Sequence, residues 1–107
     1  MSQIEKIFSA LSATPRRLIL AYISETPLTA GKIAEKFEMS QPAVSKHLAI
    51  LENAGLIWKK KQGQYIIYGM EHDTLSGTLA DFMQETCPSS RKLKKESNAI
   101  GKEKSDE

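Results

Sequence analysis

Ser40-Gln41-Pro42-Ala43-Val44-Ser45-Lys46-His47-Leu48-Ala49-Ile50-Leu51 is the stretch on which the reading of the fold turns. Ser40 is a residue type that caps helix N-termini, and Val44, Leu48 and Leu51 recur at a spacing that gathers them on one helical face. On a helical wheel Pro42, Lys46, Ala49 and Asn53 take the opposite side, with Gln41 and Ser45 between the two. The pattern predicts a helix that buries one stripe, presents small and polar groups along the other, and stops at Asn53-Ala54-Gly55. Just upstream, Thr29 can cap a shorter helix reaching about Phe37, with Ile33, Ala34 and Phe37 as its apolar stripe. Only Glu38-Met39 separate the two. Helices meeting across so tight a connection read as a helix-turn-helix, which lays its second helix in the major groove of DNA.

Outward from this pair the other elements follow. Ile4, Ile7, Phe8 and Leu11 sit at helical spacing and predict a small first helix. Thr14-Pro15 suits an N-cap and first helical position for a second helix carrying Leu18, Ile19, Leu20 and Ile23, ended before Pro27. Leu56 to Lys61 and Gln64 to Tyr68 are rich in β-branched and aromatic residues and flank Gln62-Gly63, the form of a β-hairpin. From Asp73 a last amphipathic helix carries Leu75, Leu79, Phe82 and Met83, with Cys87-Pro88 expected to end it. Residues 88–107 are too poor in apolar groups to offset ordering entropy and are expected to form a charged, disordered tail. The expected fold is therefore mostly α with a small β-hairpin, as one folded domain over residues 1–87.

Composition agrees with a small globular domain: 40% of residues are hydrophobic and 26% charged, so neither a disordered chain nor a membrane protein is indicated. The net charge of +2 conceals a division, because residues 1–87 carry nine basic and nine acidic side chains and residues 88–107 carry six and four. One cysteine, Cys87, excludes an internal disulfide and a multi-thiolate metal site, which fits a reducing compartment. No apolar run reaches the length of a signal sequence or a membrane span, so the expected location is the cytoplasm.

The exposed face of the Ser40 helix carries groups suited to DNA. Gln41 can pair with an adenine edge through its amide, and Ser45 can bond a base or a phosphate. Ala43 and Ala49 are small enough for close approach, and Lys46 can neutralise phosphate without reading sequence. His47 lies at the edge of the buried stripe and fits a packed structural residue as well as a DNA contact. Lys59, Lys60 and Lys61 precede the hairpin tip, where strand alternation lets only part of the run face one surface. Tyr65 and Tyr68 fit either DNA contact or packing of the hairpin, and Arg16 and Arg17 either phosphate or an acid such as Glu52.

The order helix, helix, helix-turn-helix, hairpin, helix resembles the winged helix-turn-helix of the ArsR family. Ala10 to Leu20 resembles that family's opening segment, Ser40 to Leu51 its recognition helix, and Lys61-Gln62-Gly63-Gln64 its wing. The resemblance spans residue 4 to about 86, and within the family it points to the metal-independent autorepressor branch. It implies DNA binding by Ser40, Gln41, Pro42, Ala43, Ser45, Lys46, His47, Lys59, Lys60, Lys61 and Gln64. It also implies a homodimer paired through Ile4, Ile7, Phe8, Leu75, Leu79, Phe82 and Met83, on double-stranded DNA with a pseudo-palindromic operator; the alternative is that these residues complete a monomer core. Where metal-sensing relatives carry a Cys-x-Cys, this chain reads Pro27-Leu28-Thr29-Ala30-Gly31-Lys32-Ile33, and Met83 falls where a second family site needs a histidine. The expectation is a repressor acting by promoter occlusion with no metal or other cofactor, released by an unidentified protein or small-molecule inducer.

An enzyme is not indicated: there is no phosphate-cradling glycine loop and no credible nucleophile and base set. A winged helix used only for protein contacts is the remaining alternative, since the scaffold alone does not dictate its use. It leaves a small-polar helix face beside a lysine-bearing hairpin unaccounted for.

Overall fold

The computed structural model describes residues 2–105. Its elements are α1 (Gln3–Leu11), α2 (Thr14–Tyr22), β1 (Leu28–Thr29), α3 (Ala30–Phe37), α4 (Gln41–Asn53), β2 (Ile57–Gln62), β3 (Tyr65–Met70) and α5 (His72–Ser105). Two units divide the chain, Met1–Ser76 and Gly77–Glu107.

In the first unit the predicted stripes converge on one core. Ile7 and Ala10 of α1 meet Ile19, Leu20 and Ile23 from α2 and the turn after it, Ile33 and Ala34 of α3, Val44, Leu48 and Leu51 of α4, and Ala54, Leu56 and Ile57 beyond. Among the described residues no polar side chain is buried there, so the core is held by apolar burial without internal charges to neutralise.

The helix ends explain the short connections. Ser40 Oγ accepts from the Ala43 N–H at 3.2 Å, and Thr29 Oγ1 accepts from the Lys32 N–H at 3.2 Å, so both predicted caps form. Between them Glu38 takes a left-handed conformation with φ 54°, and the Met39 N–H closes back on the Ala34 carbonyl at 3.0 Å. This closure satisfies carbonyls at the end of α3 and turns the chain into α4 within two residues. Gly55, at φ 77°, ends α4 the same way: the Leu56 N–H reaches the Leu51 carbonyl at 3.0 Å and the Gly55 N–H the Glu52 carbonyl at 2.9 Å.

The hairpin is one strand richer than expected. Strands order as β1-β3-β2, all antiparallel. Leu28 pairs with Tyr68 and Thr29 with Ile67, a two-residue strand too short to leave a period in sequence. Across β2 and β3, Trp58 faces Gly69 and Lys59, Lys60 and Lys61 face Tyr68, Ile67 and Ile66. A side chain at Gly69 would overlap the Trp58 indole, so glycine there leaves the ring room to lie across the sheet.

Other expectations need correction. α2 begins at Thr14 with Ala13 in the cap position and no side-chain cap, because alanine has no side-chain acceptor; Thr14 Oγ1, inside the helix, accepts from Arg17 at 3.0 Å. Ile7, expected at a dimer interface, has no exposed surface and belongs to the core; the apolar arc of α1 is wide enough that Ile7 and Ala10 turn inward while Phe8 turns out. Leu75 likewise packs against the core and is only partly exposed. α5 does not end at Cys87-Pro88. It continues to Ser105, because residues 89–105 are dominated by Lys, Glu, Arg, Ala and Leu, which favour helix even where nothing is buried. Leu93 and Ile100 stay exposed on this extension. The Cys87 side chain, with any redox role, and residues 106–107 lie outside the described residues. Among those described, no helix is long and apolar enough to cross a membrane.

Candidate nucleic-acid interface

The outward surface of α4 is laid out as its sequence suggests. Gln41, Pro42, Ser45, Lys46, Ala49 and Ile50 are exposed and Ala43 is half-buried. The caps and the turn at Glu38 fix where this face begins. Gln41 extends over the first turn of α3, its amide nitrogen 3.6 Å from where a side chain on Gly31 would start. A Cβ at Gly31 would meet the Gln41 amide at ordinary van der Waals distance. Ser40 is exposed too, with one lone pair of its hydroxyl engaged in the cap and its proton left to donate. No acidic residue occupies the first turn of α4, so its free N–H groups and positive dipole end meet no carboxylate that would compete with a phosphate.

The second part of the surface is the hairpin, which with β1 forms the wing. Lys59, Lys60, Lys61, Gln62, Gln64 and Tyr65 are all exposed. They are not equivalent. Alternation puts Lys59 and Lys61 on the sheet face shared with buried Ile57, and Lys60 on the face of Trp58. Lys59 reaches back to Glu52 of α4, Nζ to Oε1 3.6 Å, an exposed pair that adds little stability but partly neutralises this lysine. Lys60 and Lys61 are the stronger cations for an external anion, and Gln64 stands beside the Gly63 turn. Tyr68 packs on the core while Tyr65 is exposed.

His47 is placed differently from the other site residues. It is half-buried, and its Nδ1 lies 3.4 Å from Nη1 of Arg16, so its ring faces α2 rather than the exposed arc. Burial first, and the Arg16 charge second, hold its imidazole below the ordinary histidine range. Arg16 does not pair with Glu52. Its Nε donates to the Ala10 carbonyl at 2.7 Å and its Nη2 to the Ser9 carbonyl at 3.2 Å. α1 carries no basic residue in its own last turn; Arg16 and Arg17, which reaches the Leu11 carbonyl, supply from the next helix the positive charge that a helix C-terminus attracts. The sequence points Arg16 to a phosphate or an acid such as Glu52, although an arginine entering a helix directly after another helix ends is a readable sign of this grip.

The dimer residues divide between the two units. In the first, Ile4 is half-buried and Phe8 is exposed; in the second, Leu79 is half-buried and Phe82 and Met83 are exposed. Between α1 and α4 a shallow depression of about 300 Å³ is lined by Lys6, Ser9, Ala49, Ile50 and Asn53.

Comparisons with known proteins identify the family. Residues 15–59, running from the start of α2 through the recognition helix into the wing, match the family described as bacterial regulatory protein, arsR family. The transcriptional repressor SdpR of Bacillus subtilis (strain 168) is 37% identical over 76 residues, covering 71% of this chain and 84% of that protein. Among solved structures, an ArsR-like transcriptional regulator from Rhodococcus sp. RHA1 superimposes with a TM-score of 0.79 at 27% identity, covering 85% of this chain and 86% of that one. The homodimeric winged helix-turn-helix DNA-binding domain of Mb0332 from Mycobacterium bovis shares the fold, with a TM-score of 0.66 at 21% identity over 78% of this chain and 79% of that one. These relatives are regulators of transcription, not enzymes, and the chain belongs to the ArsR family of DNA-binding transcription regulators.

Proposed function

We propose that the protein is a homodimeric repressor that binds a pseudo-palindromic operator and blocks the promoter by occupying it. The observation that carries this reading is the exposed Gln41–Lys46 face of a capped recognition helix beside a wing bearing Lys60 and Lys61. Gln41 and Ser45 read base edges in the major groove; Lys46, the helix N-terminus, Lys60, Lys61 and Gln64 hold the phosphate backbone. Lys59 contributes less because Glu52 shares it, and His47 is not assigned a base contact. A two-fold pair covers the exposed Phe8, Phe82 and Met83 and the half-buried Ile4 and Leu79, and the homodimeric description of the Mycobacterium bovis domain supports it. With Thr29 and Gly31 where metal-sensing relatives carry thiolates, release falls to an inducer other than a metal.

Nuclease protection on the DNA upstream of its own gene tests this. The expected result is a two-fold protected site, lost on raising salt and lost preferentially in Gln41→Ala and Ser45→Ala. Equal loss of specific and non-specific binding in those variants, or a monomer by light scattering at micromolar concentration, refutes it.

A further inference from the structure

We infer that Arg16 and His47 form a positioning pair that locks the recognition helix to α1, and so sets the separation of the two recognition helices across a dimer. The inference rests on the dimeric DNA-binding reading above and assigns this role to residues outside the base-reading face.

α1 is fastened to α4 at both of its ends. At its start Gln3 Nε2 donates to the Ala54 carbonyl at 2.9 Å, just past the end of α4. At its finish the Ser9 and Ala10 carbonyls are taken by Arg16, whose remaining guanidinium nitrogen faces His47 within α4. Between the ties lie Ile7 and Ala10, fully buried. The second tie joins three Arg16 nitrogens to two carbonyls of α1 and one ring nitrogen of α4, so α1 cannot turn relative to α4 at that end without breaking one of this arginine's hydrogen bonds. For Arg16 to donate to Nδ1 the imidazole must be neutral, with its proton on Nε2. Arg16 is the one charged side chain acting on that ring among the described residues. If α1 contributes Phe8 to the dimer contact, its orientation against α4 fixes the distance between half-sites that the dimer accepts. A small rotation at this joint displaces both recognition helices in opposite senses, by symmetry.

The test uses Arg16→Gln, His47→Leu and the double variant, with Ile7→Val as a control that loosens the same interface without touching the pair. Binding is followed by fluorescence anisotropy on the protected operator, on operators with half-sites moved apart or together by one base pair, and on unrelated DNA. The proposal expects each single variant to lose roughly tenfold in operator affinity, as for loss of one charge-assisted hydrogen bond. The double variant should be no worse than either. Non-specific affinity should stay at the wild-type level, and the penalty for altered spacing should shrink. Two outcomes overturn the proposal alone: wild-type spacing preference in Arg16→Gln, or an Ile7→Val variant that relaxes spacing equally. A wild-type protein with no specific site overturns the repressor reading itself, and the proposal with it.

Discussion

Replacing Gly69 by alanine tests how the wing is held. In an open strand this change would stabilise the fold by about 0.5–1 kcal/mol, because glycine loses more backbone freedom than alanine on folding. Here the added methyl would overlap Cζ2 and Cε2 of Trp58, whose residue stands directly opposite in the β2–β3 ladder. The indole must swing away. If about 100 Å² of its surface returns to water, roughly half of what a tryptophan buries, the loss is about 2.5 kcal/mol at 25 cal/mol per Å². Set against the backbone gain, the net destabilisation is about 2 kcal/mol, which lowers a urea midpoint by about 1 M for a domain of this size. Trp58 is the only tryptophan in the chain, so its emission follows both the ring's release and global unfolding. A red-shifted native spectrum with the lower midpoint is expected, and in a Trp58→Leu background the same substitution should cost far less. A Gly69→Ala protein as stable as the wild type, with unshifted emission, would refute the packing argument.

Other outcomes follow from the same geometry. Glu38→Gly removes the left-handed strain at the α3–α4 turn and should raise stability by about 0.5–1 kcal/mol after glycine's own entropy cost; Glu38→Ala should gain nothing, and thermal melts compare the two. Because the folded state holds His47 below its ordinary value, the unfolded chain binds the proton first as pH falls. Stability linked to this residue is therefore present at neutral pH, declines as pH drops below about 6.5, and levels off beneath the folded value; His47→Leu should flatten that part of a urea-midpoint profile, and an unchanged slope counts against the assignment. Lys61→Ala should reduce the salt slope of operator binding by about 0.9 per protomer, and Lys59→Ala by less, since Glu52 already holds it; equal reductions would show that the ion pair opens on DNA.

Much of the fold was legible because its signals are local. Ser40 and Thr29 announce their helices by side-chain chemistry, Gly55 and Gly63 mark turns that need a positive φ, and the stripe of Val44, Leu48 and Leu51 names the buried side of α4 before any coordinates exist. What stayed hidden depends on partners distant in sequence. β1 is two residues whose strand character comes from Tyr68 and Ile67. Ile7 and Phe8 look alike in the apolar pattern of α1, and only packing decides which turns inward. The base-reading face could be proposed because it is the complement of the buried stripe. The inward turn of His47 could not, because it depends on Arg16 lying at the end of a different helix. The extension of α5 past Pro88 was missed for the opposite reason: burial was made the criterion for order, and this segment is helical by intrinsic preference with Leu93 and Ile100 left exposed.

The short strand β1 also bears on the order of assembly. Its partner β3 lies beyond α3, α4 and β2 in the chain, so the Leu28–Tyr68 pairing closes a long loop whose entropy must be met before the contact returns anything. Helices α2, α3 and α4 can meet by closing shorter loops, so the latch is expected to shut after them. Damage confined to the β1–β3 pairing should then hasten unfolding while leaving the refolding rate almost untouched. By this reasoning the β1–β3 latch is expected to be the last part of the sheet to form and the first to open.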